Sequence, residues 1–130
     1  MIIDDRLLDE IEEKAKTSPR LRMNYNLHKS LDAKSQRLFN ALEPGTVLPV
    51  HRHHHSAETY ILLRGLIDVV FYDTEGHETE RFELDPHKGR YGVEIPLGRW
   101  HTIEVKTPAV IFEVKDGPYT PLGPEDVLEV

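Results

Sequence analysis

Short strand-like segments separated by turn residues make up most of the chain after Arg20, and they limit the folds open to it. Each segment is four to eight residues long: Gln36–Leu42, Thr46–His53, Glu58–Arg64, Leu66–Tyr72, Glu78–Leu84, Gly92–Ile95, Trp100–Lys106 and Ala109–Val114. Apolar and polar residues alternate in segments such as RFEL and TIEV, as in antiparallel strands with one buried face. Many short strands at regular spacing predict an all-β sandwich or barrel.

The segment Asp4–Ser18 is predicted to form an amphipathic helix before the first strand. Its apolar residues recur at spacings of three and four and share one face: Leu7, Leu8, Ile11 and Ala15. Pro19 ends the helix because proline disfavours helical geometry in the residue before it. We therefore expect a helix at residues 1–19 packed on a barrel at residues 20–130. An extended C-terminal arm should complete this single domain, with a helical turn at Glu125–Leu128.

Length and composition exclude several classes of protein. The chain has 130 residues, which fits one domain, and it has no cysteine for a disulfide or a thiolate metal site. Its net charge of -7 and the lack of a basic cluster disfavour nucleic-acid and anionic-membrane partners. The N-terminus lacks the features of a signal peptide, and no apolar run approaches the ~20 residues of a membrane span. We therefore expect a soluble cytoplasmic protein.

A histidine-rich stretch in the middle of the chain predicts a metal site. His51 and His53 are two residues apart, so on a strand their imidazoles point to the same face. Glu58 follows after a four-residue gap, and His101 follows a Pro-Leu-Gly turn later in the chain. Imidazoles and a carboxylate that converge on one point bind a divalent transition metal.

The spacing of these residues resembles the two sequence motifs of the cupin superfamily. The first motif corresponds to Gly45, five residues, His-x-His, four residues, Glu58, six residues and Gly65. The second corresponds to Pro96-x-Gly98-x-x-His101. A combined match of this kind is far more specific than a single glycine motif. The resemblance implies a cupin barrel, which is a double-stranded β-helix or jelly roll.

Two positions depart from the second cupin motif. Its upstream glycine is displaced to Gly89 or Gly92, and Val105 stands where the motif ends in asparagine. Neither position is a metal ligand in the superfamily, so the departures leave the metal assignment intact. The ligands that the resemblance implies are His51, His53, Glu58 and His101.

Longer segments resemble the WbuC-type cupin fold metalloproteins over nearly the whole chain. The segments that carry this resemblance are Arg20–His28, Gln36–Gly45, Ile95–Thr102 and Phe112–Tyr119. The resemblance implies a small single-domain cupin with a short N-terminal α-helix, of a kind often associated with surface-polysaccharide gene clusters.

The number of protein ligands limits the chemistry of the predicted metal. Three imidazoles and one carboxylate would complete a tetrahedral zinc site, with no position left for a substrate. An octahedral Fe, Mn or Ni ion would keep two positions open. The predicted cofactor is therefore one divalent transition metal, with Fe, Mn, Ni and Zn all left open.

Other polar residues are candidates for contact with a substrate. Tyr60 lies two residues after Glu58 and should face the same interior. His28 is a candidate acid or base because the pKa of histidine lies near neutral pH. Asn24 and Asn26 form a polar edge, and Arg99 is a candidate contact for an anionic substrate.

Three functions are compatible with this pattern. We favour a metal-dependent enzyme that acts on a small polar substrate, such as a sugar or sugar derivative, by isomerase, epimerase or lyase chemistry. The alternatives are an Fe(II)-dependent dioxygenase and a non-catalytic metal-containing ligand-binding or sensor module. Because cupins commonly pair through sheet edges, and open edges need cover, we expect a homodimer.

Overall fold

The computed structural model describes residues 1–129, within which the chain forms one α-helix and ten strands. The helix α1 spans Asp5–Thr17. The strands are β1 (Arg22–Asn26), β2 (Ser35–Leu42), β3 (Val50–His51), β4 (Glu58–Arg64), β5 (Ile67–Tyr72), β6 (Glu78–Leu84), β7 (Gly92–Ile95), β8 (Trp100–Val105), β9 (Ala109–Asp116) and β10 (Val127–Leu128). Short 3₁₀ turns lie at Pro86–Lys88 and Pro124–Asp126.

The strands form two antiparallel sheets of five strands each. Sheet A has the order β1-β2-β9-β4-β7, and sheet B has the order β10-β3-β8-β5-β6. Apolar side chains from both sheets form one buried core, which includes Leu62 and Ile111 of sheet A and Val69 and Ile103 of sheet B. The prediction of an all-β fold with a short N-terminal helix is confirmed.

Helix α1 packs on the outer face of sheet A. Asp4 caps the helix, since its carboxylate accepts a hydrogen bond of 3.1 Å from the backbone N–H of Leu7. Leu8, Ile11 and Ala15 are buried against the sheet, whose contributions to this cluster include Phe39, Ala41 and Val110. The periodic apolar face predicted from the sequence is therefore the face that covers the sheet.

Three segments differ from their predicted structure. The predicted strand Thr46–His53 is paired only at Val50–His51, since Pro49 has no N–H to donate to a ladder. Arg22–Asn26 is a strand that the sequence pattern did not predict, and it pairs along β2. The predicted helical turn Glu125–Leu128 is instead a 3₁₀ turn followed by strand β10, because Val127 and Leu128 pair with β3.

No helix within residues 1–129 is long and apolar enough to cross a membrane.

Candidate metal centre

Four side chains from the two sheets converge at one end of the core. His51 lies on β3 opposite His101 on β8, so both come from sheet B. His53 lies two residues beyond His51, and Glu58 is the first residue of β4 in sheet A. One possible ligand atom from each of the four lies within 4.8 Å of all the others. The structure therefore brings together the residues that the spacing predicts as ligands.

Backbone carbonyls orient two of the imidazoles. Nδ1 of His51 lies 2.9 Å from the carbonyl oxygen of Pro49, and Nδ1 of His101 lies 2.9 Å from that of Arg99. A carbonyl oxygen only accepts, so the proton of each neutral ring is on Nδ1 and the lone pair is on Nε2. This is the second-shell arrangement that prepares a histidine to bind a metal through Nε2.

The carboxylate of Glu58 is buried, and one of its two oxygens, Oε1, accepts no hydrogen bond within residues 1–129. The residue is 2 % exposed, and its Oε1 lies 2.7 Å from Nε2 of His53 and 3.5 Å from Nε2 of His101. Despite these short distances, neither contact has hydrogen-bond geometry, and Oε1 has no donor among the described residues. A buried, unsatisfied carboxylate oxygen facing imidazole nitrogens suits a cation. The donor set therefore fits a divalent transition metal.

The electrostatics of the metal-free site favour the protonation states that a metal requires. Burial lowers the pKa of His51 to about 4, and the positive charge of protonated His101 and His53 acts in the same direction. Burial alone would raise the pKa of the Glu58 carboxyl, but interactions with His101 and His53 outweigh it and hold that pKa below its usual range. At neutral pH, His51 is therefore neutral and Glu58 is ionised, as metal ligands must be.

A cavity of about 280 Å³ opens beside the site, and His51, His53 and Glu58 line it, whereas His101 is fully buried behind them. Tyr60 lines the cavity, and its hydroxyl oxygen lies 3.4 Å from Nε2 of His101. Asn40 and Glu113 also line it, and the side-chain amide of Asn40 donates a 3.1 Å hydrogen bond to Oε1 of Glu113. Burial and the negative charge of Glu58 raise the pKa of Glu113 to about 7. The cavity thus holds a carboxyl group that can gain or lose a proton near neutral pH.

The C-terminal arm forms one wall of this cavity. Tyr119, Thr120 and Leu122 line it. Asp126 anchors the arm, since its Oδ1 lies 2.7 Å from Nε2 of His54 and 3.3 Å from Nε of Arg52. The guanidinium of Arg52 also lies 4.5 Å from the centre of the Trp100 ring and donates to the Glu125 carbonyl. These contacts hold the arm against the strand that carries His51.

The other predicted site residues divide between the cavity and the rest of the surface. Asn24 and Tyr60 line the cavity, whereas the structure does not place Asn26, His28 or Arg99 among its lining residues. Nδ1 of His28 lies 3.1 Å from the backbone of Arg37. Arg99 lies 3.7 Å from a carboxylate oxygen of Glu80 and packs its guanidinium over the ring of Phe71.

Sequence reasoning missed two of the polar residues in the cavity. Asn40 and Glu113 lie in apolar stretches, LFNAL and AVIFEV, where a single polar residue interrupts a buried strand. Such an interruption in the sequence could have indicated both residues as candidates for the site, because a buried polar group requires a partner or a function.

Solved structures with a similar architecture include cupin-domain proteins. A cupin 2 domain-containing protein from Halorhodospira halophila is 20% identical, with 73% of this chain and 63% of that chain covered and a TM-score of 0.59. The capsular polysaccharide assembling protein CapF from Staphylococcus aureus is 22% identical, with 75% of this chain and 27% of that chain covered and a TM-score of 0.63. At these identities the similarity shows the fold alone, which is the cupin fold.

Sequence comparison places the chain in one family. Residues 3–84 match the family described as domain of unknown function (DUF6016), and since this is more than half of the chain, the protein belongs to that family. The xanthan biosynthesis protein XanB of Xanthomonas campestris pv. campestris is 34% identical over 89 residues, which are 67% of this chain. The match covers only 17% of XanB, so the chain spans about a sixth of the length of that relative.

Proposed function

We propose that this protein is a metal-dependent cupin enzyme that acts on a sugar or sugar derivative in surface-polysaccharide biosynthesis. The observation that carries the proposal is the buried Oε1 of Glu58, which faces imidazole nitrogens beside a cavity and has no hydrogen-bond donor among the described residues. The names of XanB and CapF, which refer to xanthan and to capsular polysaccharide, support the substrate class.

The residues that would hold the metal are His51, His53, Glu58 and His101. A bound dication polarises a carbonyl or hydroxyl oxygen of a chelating substrate and acidifies its protons. Because the protein offers four ligands, a substrate can reach the ion only if the ion accepts more than four ligands or releases one.

Side chains around the cavity supply binding and proton transfer in this proposal. Glu113 lines the cavity and can exchange a proton at neutral pH, which is the requirement for a general acid or base. Asn40 fixes the position of that carboxyl through its amide N–H, and its own Oδ1 is buried without a partner among residues 1–129. That free oxygen is suited to accept a hydrogen bond from a substrate hydroxyl. Tyr119 and Leu122 form the wall of the cavity on this side.

Metal content tests the first part of the proposal. We expect protein purified without chelators or a histidine tag to hold about one transition-metal ion per chain by elemental analysis. His53→Ala should lose this metal, whereas His55→Ala, at an exposed position in the same loop, should keep it. Full metal occupancy in His53→Ala, with the fold intact by circular dichroism, would show that the site is wrongly assigned.

Turnover assays separate the three functional classes. The metal-loaded protein should convert a sugar derivative without consuming oxygen, as followed by NMR and an oxygen electrode. Oxygen consumption that depends on Fe(II) and a chelating substrate would instead indicate a dioxygenase. Tight ligand binding without turnover for any metal would indicate a binding or sensor module.

The remaining proposals concern the subfamily and the assembly. We also propose that the protein is a WbuC-type cupin, with the helix of residues 1–19 and the barrel of residues 20–130 in one domain. The homodimer and the cytoplasmic location stay predictions. Light scattering at high protein concentration tests the dimer, and a monomer would contradict it.

A further inference from the structure

Three cationic side chains line the cavity beside the candidate metal centre. Arg20 and Arg22 lie two residues apart where the chain enters β1, and Lys115 lies near the end of β9. Lys115 is the cross-strand neighbour of Glu58. The same cavity is also lined by three of the candidate ligands, so the cations and those ligands share one space.

None of these three cations has an acidic partner among residues 1–129. No carboxylate oxygen there lies within 4.0 Å of their charged nitrogens. In contrast, Arg64 and Arg81 each contact two or more carboxylates. The charge around the cavity is therefore left without compensation in a chain whose net charge is -7.

Arg20 and Arg22 lie close enough together for their positive charges to interact. Burial lowers the pKa of Arg22, and the positive charge of Arg20 lowers it further. One nitrogen of Arg22 donates to Thr46 and to the Val47 carbonyl, neither of which lines the cavity. The other guanidinium nitrogens of Arg22 have no hydrogen-bond partner within residues 1–129. Two neighbouring guanidinium groups repel each other unless an anion lies between them.

The acidic groups of the cavity do not neutralise these cations. Glu58 is directed at the imidazoles of His53 and His101 rather than at its cross-strand neighbour Lys115. Glu113 is hydrogen bonded to Asn40, and burial raises its pKa to about 7 although the charge of Lys115 opposes this shift, so the carboxyl is only partly ionised at neutral pH. A metal ion would add two further positive charges. The cavity is therefore electropositive although the protein as a whole is acidic.

We propose that the cavity binds an anionic sugar derivative whose phosphate or carboxylate lies against Arg20, Arg22 and Lys115. Guanidinium groups bind such oxyanions through paired, charge-assisted hydrogen bonds. The hydroxyl groups of the same ligand then face Asn40 and the candidate metal residues. This inference rests on the proposed function for the sugar part of the ligand, and it replaces the predicted role of Arg99 with that of three other cations.

Calorimetric titration of the full, metal-loaded chain with three matched sugars tests the charge requirement. The probes are glucose 6-phosphate, glucuronate and glucose, at one ionic strength. We expect at least one of the two anionic sugars to bind at least tenfold more tightly than glucose, and its binding to weaken as salt is raised. The preferred anion distinguishes phosphate from carboxylate. Equal affinity for all three sugars, or no binding of either anionic sugar, would overturn the proposal.

Single charge removals test which cations bind the anion. Arg20→Gln and Lys115→Gln each remove a side chain for which the structure shows no hydrogen bond within residues 1–129, so the fold should persist. Each should weaken the binding of the preferred anionic sugar at least about tenfold, or about 1.4 kcal/mol, since a charge-assisted hydrogen bond is lost. Lys29→Gln makes the same change in net charge at an exposed position outside the cavity, and it should have less than a twofold effect. Equal weakening by all three variants would contradict the assignment.

The metal content of each sample separates this inference from the proposed function. If the wild-type protein holds its metal but does not distinguish the sugars by charge, the anion site fails and the metal site stands. If metal is absent but anionic sugars still bind, and Arg20→Gln weakens them, the anion site stands and the proposed metal enzyme fails.

Discussion

His51 and His101 are cross-strand partners, and each ring hydrogen bonds to the carbonyl oxygen two residues before it in its own chain segment. The two carbonyls belong to Pro49 and Arg99, both hydrogen bonds measure 2.9 Å, and the ring centres are 4.3 Å apart. The same local geometry is thus used twice, on two adjacent strands. It orients both Nε2 atoms before any metal arrives, so metal binding need not reorganise these rings.

Metal binding should stabilise the folded protein. A ligand that binds only the folded state adds about 4 kcal/mol at a free concentration one thousand times its dissociation constant. We expect the melting temperature of chelator-treated protein to rise when Mn(II), Ni(II) or Zn(II) is added. The rise should persist in His55→Ala and disappear in His53→Ala. An equal rise in both variants would indicate metal binding elsewhere on the protein.

Glu113 should make the metal-free protein less stable as pH rises from about 4 to about 7. Its pKa is about 7 when folded, because of burial and the charge of Glu58, and about 4.3 in an unfolded chain. The folded state therefore binds the proton more tightly, and the stabilisation present at low pH is lost as pH rises through 7. This difference in pKa corresponds to roughly 4 kcal/mol at most.

Glu113→Gln keeps the shape of the side chain and removes its titration. Urea unfolding at several pH values should show the free energy of unfolding of the wild type falling relative to that of Glu113→Gln between pH 4 and 7. Glu10→Gln makes the same chemical change on the exposed face of α1 and serves as the control. A constant difference between wild type and Glu113→Gln would contradict the raised pKa.

Arg52→Ala should loosen the C-terminal arm. Arg52 contacts Asp126 and the Glu125 carbonyl and lies over the ring of Trp100. We expect a loss of about 1–3 kcal/mol in stability, since a partly buried charged contact and a cation–π contact are both removed. Hydrogen exchange should become faster at residues 119–128. Arg37→Ala, at an exposed position on β2, should leave exchange in the arm unchanged. Unchanged exchange in Arg52→Ala would show that other contacts hold the arm.

Gly65→Ala should be more destabilising than Gly89→Ala, although both glycines have positive φ. At Gly65, where φ is +90°, a Cβ would overlap the carbonyl oxygen of Pro108 and lie 2.8 Å from Cα of Ala109. At Gly89, where φ is +74°, a Cβ would have no atom within 4 Å. We expect a cost of about 1–2 kcal/mol at Gly89 from backbone strain alone. Gly65→Ala should cost at least about 2 kcal/mol more in thermal unfolding, because steric overlap is added. Equal costs would mean that the loop moves aside.

Local spacing explains why much of the architecture was predictable. Period-two alternation and turn residues locate most strands, and the three-four spacing of Leu8, Ile11 and Ala15 locates the helix and its buried face. The convergence of His51 and His53 follows from strand geometry. The convergence of Glu58 and His101 on the same point followed only from the cupin motifs, because it depends on how two sheets face each other.

Long-range pairing explains what the sequence pattern did not show. Arg22–Asn26 is polar and mostly exposed, and it is a strand because β2 lies beside it. Val127 and Leu128 form a strand only through β3. The charged wall of the cavity combines residues about 90 positions apart, so no local pattern could join Arg22 with Lys115.

The placement of β3 and β4 in the sheets has a consequence for biosynthesis. Within residues 1–129, β3 pairs only with β8 and β10, and β4 pairs only with β7 and β9, so every one of these partner strands is synthesised later. When the histidine-rich stretch has just been synthesised, none of the strands that pair with β3 and β4 yet exists. In the proposed metalloprotein, a complete site would form only after these partner strands, which end at Leu128, about seventy residues after Glu58, have been synthesised. Until that point the histidines would have no fixed geometry, so in the proposed metalloprotein the selection of the metal would belong to a late stage of folding.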